Sequence, residues 1–347
     1  MTKLDTLWYT RCGVPTGVGI AVQLGWLEQE FAGDGIAIAS IREAAERDVR
    51  QSHYDHSQKN SFRQGGSVPA IWARAAGRDT RLVGLTWTDE AQVILTLPDS
   101  GISSVKDLRG RRLGIATRPD DVIDFWAATT ERVYELALET AGLSLEDVEL
   151  VRIPRRGNSF DRPAGTLREP LEVDALKSGA VDAIFHKGSR GLELADSAGA
   201  RVIFDTWKVP EVRVRANNHS PRTLTVDGHL ADDYPDVVAR IVKRAILAGE
   251  WAEAHPREAV AYVARETNSA ERWVRAAYGD DVNRHLGTDL EESSIGALAD
   301  FIKFLHVRGY LPTHFDVGAW IDTRPLAAAR RLIARSGLRV VDTAAAP

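Results

Sequence analysis

Ser103-Ser104-Val105-Lys106-Asp107-Leu108-Arg109-Gly110-Arg111-Arg112-Leu113-Gly114-Ile115 reads as a short helix, a glycine turn and a buried strand. Leu176–Gly179, followed by Ala180-Val181-Asp182-Ala183-Ile184, repeats the same logic farther along the chain. Helices that feed strands in this way belong to an α/β architecture, in which helices cover the faces of the sheet. Outward from this core, β-branched and aromatic runs predict strands at Leu7–Thr10, Ile36–Ile41, Arg81–Trp87, Ala91–Leu97, Arg112–Ala116, Val148–Ile153 and Val181–Phe185. Their alternation with longer helix-period segments predicts a mostly parallel sheet. Val14–Phe31, closed by Gly33, and Pro69–Ala76, closed by Gly77, read as helices. From Ala231 onward the pattern is helical, with Pro235 opening a segment through Ala254 and Pro256 opening the next, and these helices are expected to return to the first lobe. Gln51–Phe62 reads as a polar stretch able to act as a lid, and Pro154–Pro170 as a long irregular loop.

A chain of 347 residues exceeds the usual size of one core, so two lobes with a cleft between them are expected. The reading divides them as residues 1–97 with 216–347, and residues 98–215. Hydrophobic residues at 44% and charged residues at 27% are ordinary for a folded globular chain. A formal net charge of -5 offers no extended basic face, which argues against nucleic acid and anionic membrane as partners. The start, Met1-Thr2-Lys3-Leu4-Asp5, runs into a strand-like segment without an apolar signal core, and a cytoplasmic location is expected. The one cysteine, Cys12, cannot form an internal disulfide and fits a reducing compartment.

The order of elements, with the phrases around Val105–Ile115 and Leu176–Ile184, resembles the nitrate/sulfonate/taurine branch of the periplasmic substrate-binding proteins. That resemblance implies a two-lobed type II periplasmic-binding-protein fold with a ligand cleft. Tyr9-Thr10-Arg11-Cys12-Gly13-Val14-Pro15, together with the block from His53 to Gly66, is similar to the aromatic sulfinate desulfinases of dibenzothiophene desulfurisation, which use this fold without a transporter. The active-site pattern of that family, a cysteine after the first strand, a histidine, an arginine ten residues later and a glycine three beyond, is met by Cys12, His53, Arg63 and Gly66. Gln58 falls at a further matching position. His56 stands where the family has a tyrosine, and His186-Lys187-Gly188-Ser189-Arg190 replaces a loop that carries a tryptophan. Trp126 corresponds to an aromatic that lines the family's pocket.

A thiol becomes a competent nucleophile at neutral pH where positive charge or a helix N-terminus stabilises its thiolate. Cys12 is expected at the carboxyl end of the first strand, where open α/β sheets bind ligands, ahead of a helix starting near Val14 and beside Arg11 and Arg63. The planar guanidinium of Arg63 suits two oxygens of a sulfinate, and Gly65 and Gly66 let backbone N–H groups approach the same oxygens. His53 is expected as the acid/base partner. By resemblance, Cys12 attacks the sulfinate sulfur to give a thiosulfonate-like intermediate that water cleaves to sulfite; in the competing route Cys12 protonates the ring carbon and sulfur leaves as sulfur dioxide.

A lone cysteine is most often inert filler, and it is the register with His53, Arg63 and Gly66 that singles this one out. His53 and His56, spaced i,i+3 with no distant partners, predict no metal site. No cofactor is implied. Lys187 and Arg190 read either as surface charge or as cations for a second anionic group of the substrate. Two functions compete: a cysteine-dependent desulfinase acting on an aromatic or planar sulfinate, with a monooxygenase in the same pathway, or the sulfonate- or nitrate-binding component of an ABC transporter. A pyrimidine-precursor synthase of the thiamine branch would carry histidine- and cysteine-rich clusters that this sequence lacks.

Overall fold

The computed structural model describes residues 4–161 and 171–336. Within them ten strands form: β1 (Thr6–Arg11), β2 (Ala37–Ser40), β3 (Ser61–Gly65), β4 (Thr80–Thr86), β5 (Gln92–Thr96), β6 (Arg112–Thr117), β7 (Glu149–Pro154), β8 (Ala183–Lys187), β9 (Arg201–Asp205) and β10 (Arg222–Asp227). They make two five-stranded sheets, ordered β2-β1-β3-β10-β4 and β7-β6-β8-β5-β9. Each sheet is mixed rather than mostly parallel. β1 runs parallel to β2 and β3 while β10 runs against β3 and β4, and β6 runs parallel to β7 and β8 while β5 runs against β8 and β9.

β5 and β10 are the strands that follow the two passages between sheets, which explains their reversed direction. The first passage, 87–91, comes directly after β4 rather than at residue 97, because β5 pairs with the second sheet. The return passage occupies 206–221. The two passages are laced together, with Ser220 Oγ donating to Thr88 O at 2.8 Å and Asn217 Nδ2 to Gln92 Oε1 at 2.9 Å.

Burial of apolar side chains fixes the layers. Leu7, Val18, Leu27, Phe31 and Phe62 pack with Val238, Ile241 and Val242 of the helix Pro235–Ala254, so the late helices do return to the first sheet. In the second sheet Ile94, Leu113, Ile115 and Phe185 pack with Val133, Tyr134 and Leu138 of the helix Phe125–Thr140. Each such side chain contributes about 1.5–3 kcal/mol when fully buried.

Three further expectations change. Val14–Phe31 is two helices, Gly17–Gln23 and Trp26–Phe31, separated at Gly25 with φ 68°. Gln51–Phe62 is not one irregular stretch: it begins inside the helix Arg47–Asp55 and ends in β3. Of Pro154–Pro170, the described part ends in a turn at Ser159–Asp161, and 162–170 lie outside the described residues. Among the described residues no helix is long and apolar enough to cross a membrane.

Candidate active site

Parallel pairing of β1 with β3 sets Thr10 beside Arg63 and Arg11 beside Gln64, so the next residue, Cys12, comes level with Gly65 at the carboxyl ends of both strands. Only a residue without a side chain fits there: a β-carbon on Gly65 would stand 2.5 Å from Cys12 Sγ and 2.9 Å from its Cβ. Gly66 is enclosed in the same way by Asn218 and His219, each with an atom 2.8 Å from where its β-carbon would be.

Arg63, only 3% exposed, points along this seam. Its Nη2 donates to Cys12 Sγ at 3.0 Å and its Nη1 to Gly66 O at 2.7 Å, while Nε has no hydrogen-bond partner. A guanidinium donor of this kind is a charge-assisted contact that favours anionic sulfur. His53 approaches from the helix Arg47–Asp55, with Nε2 4.0 Å from Cys12 Sγ, the outer limit of such a hydrogen bond. Its Nδ1 meets Thr10 Oγ1 at 2.6 Å, which fixes the ring and leaves Nε2 as the nitrogen directed at sulfur. Burial, reinforced by the charges of Arg42 and Arg63, holds the His53 imidazole well below its usual range, so the ring is neutral near pH 7.

Other expected members lie differently. The helix after Cys12 opens at Gly17 with Thr16 as its cap, so Arg63 and not a helix end supplies the positive charge. Arg11 is paired with Glu266. His56 closes the helix Arg47–Asp55 in the left-handed conformation, φ 54°, and neither ring nitrogen has a hydrogen-bond partner. Burial and the nearby Arg63 push its ring down to about 3. His56 lines a cavity of about 10 Å³ with Thr10, Ser52, Arg63 and Asp227, room for a single water. Gln58 is not brought to the site; its Nε2 donates to Lys59 O at 3.2 Å on the exposed turn before β3.

The second sheet contributes from across the cleft. β8 ends at His186 and Lys187, and pairing of Lys187 with Gln92 carries Lys187 to the first passage between the sheets. Lys187 Nζ lies 2.9 Å from His219 Nδ1 and 3.8 Å from Glu90 Oε1, and 5.7 Å from the ring centre of Trp126. His186 sits beside Trp126, ring centres 6.0 Å apart, but turns its Nε2 to Glu172 Oε1 at 3.3 Å. Arg190 faces outward and pairs with Glu193.

Glu90, His219 and Arg222 carry no sequence motif, yet they join the two lobes. Glu90 is held by Arg222 Nη2 at 3.4 Å, and its Oε1 lies 3.1 Å from His219 Nδ1, the nitrogen that also faces Lys187. Burial pushes its carboxyl up, but His219, Lys187 and Arg222 outweigh that and hold it at about 2. Burial also drives Lys187 down to about 8, against the pull of Glu90. His219 is pushed by burial and by the charge of Lys187 to about 4. A continuous line therefore runs from Cys12 through Arg63, Gly66 and His219 to Lys187 and Trp126. Among the described residues no group of three or more His, Cys, Asp or Glu side chains could hold a metal ion.

The chain is 27% identical to a 2'-hydroxybiphenyl-2-sulfinate desulfinase of Rhodococcus erythropolis, over 91% of each chain. The crystal structure of the desulfurization enzyme DSZB superposes with a TM-score of 0.74 at 23% identity, covering 94% of this chain and 99% of the other. The chain is thus similar to a desulfinase over most of its length and has the type II periplasmic-binding-protein fold. The same fold is shared with the periplasmic aliphatic sulphonate binding protein SsuA of Escherichia coli, TM-score 0.62 at 17% identity over 92% of both chains. Residues 15–164 match the family model described as NMT1/THI5 like. The chain is therefore similar in sequence to a sulfinate desulfinase and shares its fold with a sulphonate-binding protein.

Proposed function

We propose that this protein is a cysteine-dependent desulfinase that hydrolyses the carbon–sulfur bond of an aromatic or planar sulfinate and releases sulfite. One observation carries the reading: Arg63 Nη2 donates to the Cys12 sulfur at 3.0 Å while the neutral His53 ring stands behind it. A binding protein needs a cation for its anion, but it has no use for a thiol held between that cation and an imidazole. A solved structure of a cysteine-to-serine mutant of DSZB holds biphenyl-2-sulfinic acid, which supports an anionic sulfinate as the ligand class.

In the nucleophilic route Cys12 Sγ bonds to the sulfinate sulfur, the carbon–sulfur bond breaks and the ring carbon takes a proton. Water then cleaves the S–S bond, returning the thiol and releasing sulfite. In the protonation route the thiol proton passes to the ring carbon, sulfur dioxide leaves and adds water to become sulfite, and Cys12 is reprotonated. Both give arene and sulfite from sulfinate and one water. Arg63 has a role in each: it faces anionic sulfur oxygens throughout the nucleophilic route and, in the protonation route, up to the departure of neutral sulfur dioxide. The reading places the enzyme in the cytoplasm, where a lone thiol stays reduced, downstream of a monooxygenase that supplies the sulfinate.

The fold shared with sulphonate-binding proteins favours a second reading, a binding component of an ABC transporter. Sulfite release from a panel of aryl and alkyl sulfinates, wild type against Cys12→Ser, in a reductant that yields no sulfite itself, separates the two. Release by wild type alone is the expected result. Release by neither, with a sulfonate raising the melting temperature, makes this a binding protein.

A further inference from the structure

We infer that the substrate is an aromatic sulfinate bearing a second anionic group, a ring carboxylate, which Lys187 and Arg118 receive over the face of Trp126. This rests on the desulfinase reading and names its substrate class.

Trp126, at the start of the helix Phe125–Thr140, is flanked by two cations: Arg118 Cζ lies 5.3 Å and Lys187 Nζ 5.7 Å from its ring centre. An aromatic face with cations at this distance is a platform for a planar ring, and the cations gain from the ring's electron density. Neither cation is used up by its neighbours. The Arg118 guanidinium stacks on Phe125 at 4.5 Å and among the described residues makes no hydrogen bond and no direct ion pair, although the carboxylates of Asp121 and Asp124 lie near enough to act on its charge. Among the described residues its donors are therefore open to carboxylate oxygens, with Asp121 and Asp124 balancing its charge only from outside hydrogen-bond reach.

Lys187 is 8% exposed, and of its three donors one is engaged by His219, while Glu90 stands at 3.8 Å, too far for a hydrogen bond. Glu90 also serves Arg222, so one carboxylate faces two cations and the cluster keeps a net positive charge. A buried excess charge is costly unless a ligand pairs it. A sulfinate held at Cys12 lies within reach of the Lys187 charge but shares its own with Arg63, so it meets the excess only in part. A second anion on the same planar molecule meets the rest.

The test is equilibrium binding by calorimetry to the Cys12→Ser protein, with benzenesulfinate and its 2-, 3- and 4-carboxy isomers as probes. At least one isomer should bind ten times more tightly than benzenesulfinate. Lys187→Met and Arg118→Met should each bring that ratio to within about threefold of one, and Lys187→Arg should retain most of it. Benzenesulfinate binding as tightly as every isomer, or a preference that survives both methionine variants, overturns the inference. Should Lys187→Met fail to fold, Arg118→Met decides alone. Because binding is read without turnover, a wild type that releases no sulfite would sink the desulfinase reading and leave this result standing by itself.

Discussion

Cys12 and Gly65 face each other at the ends of β1 and β3 with no room between them: a β-carbon on Gly65 would stand 2.5 Å from the sulfur and 3.2 Å from the Cys12 backbone nitrogen. The strand register forces the pair together, so the thiol can hold its place only while residue 65 stays bare.

Gly65→Ala should therefore displace the sulfur from Arg63 and His53. Sulfite release should fall at least a hundredfold, with the melting temperature lowered by only a few degrees. A variant as active as wild type would show that the contact is not needed for catalysis.

Thr10→Val removes the partner of His53 Nδ1, a contact of 2.6 Å. A lost hydrogen bond of this kind is worth about 1 kcal/mol, so kcat should drop about fivefold with little change in KM. Thr10→Ser should restore it. If kcat were unchanged in the valine variant, Thr10 would have no part in orienting the imidazole.

Arg63→Lys keeps the charge but not the fork that reaches Gly66 O and Cys12 Sγ together. We expect a loss in kcat/KM of roughly a hundredfold or more, since a single ammonium cannot make both contacts. Near-normal kinetics in the lysine variant would reduce Arg63 to a source of charge.

Acid should weaken the fold through its buried histidines. His219 titrates at about 4 and His56 at about 3 when folded, against 6.5 when free. Across that window the unfolded chain binds more protons, so stability rises with pH and is lost as pH falls from about 6.5 toward 3. Glu90, held at about 2 against 4.5, acts in the same direction lower down. Melting temperatures should decline steadily from about pH 6.5 to 4; a flat profile there would contradict the burial assigned to these rings.

Glu90→Gln takes the carboxylate from between Arg222, Lys187 and His219. Breaking a buried ion pair on one side costs about 3–5 kcal/mol, so the melting temperature should fall by on the order of 10 °C. A fall of a degree or less would show that the two lobes do not depend on this cluster.

The sequence shows seven of these strands because their apolar runs are undisguised, and it shows Cys12, His53, Arg63 and Gly66 because their spacing is shared with a family. It hides β3, whose residues Ser61-Phe62-Arg63-Gln64-Gly65 carry the polar side chains of the site where a central strand would otherwise be apolar. β10 was legible in principle, since Thr223 and Thr225 alternate with Leu224 and Val226, but Arg222 and Asp227 at its ends mask the run. Glu90 and His219 belong to separate passages between the sheets, and nothing local ties one to the other. The open guanidinium of Arg118 is equally invisible without the ring it stacks on.

The placement of β10 between β3 and β4 bears on how the protein is made. A ribosome delivers the cysteine, the histidine and the arginine early, yet the strand that joins β3 to β4 begins only at Arg222, well past the midpoint of the chain. Until then the first sheet has a gap at its centre, and pairing across so long a stretch of intervening chain is slow. The reactive sulfur thus emerges long before its setting can close around it, and a nascent or prematurely terminated chain carries the thiol without its catalytic surroundings.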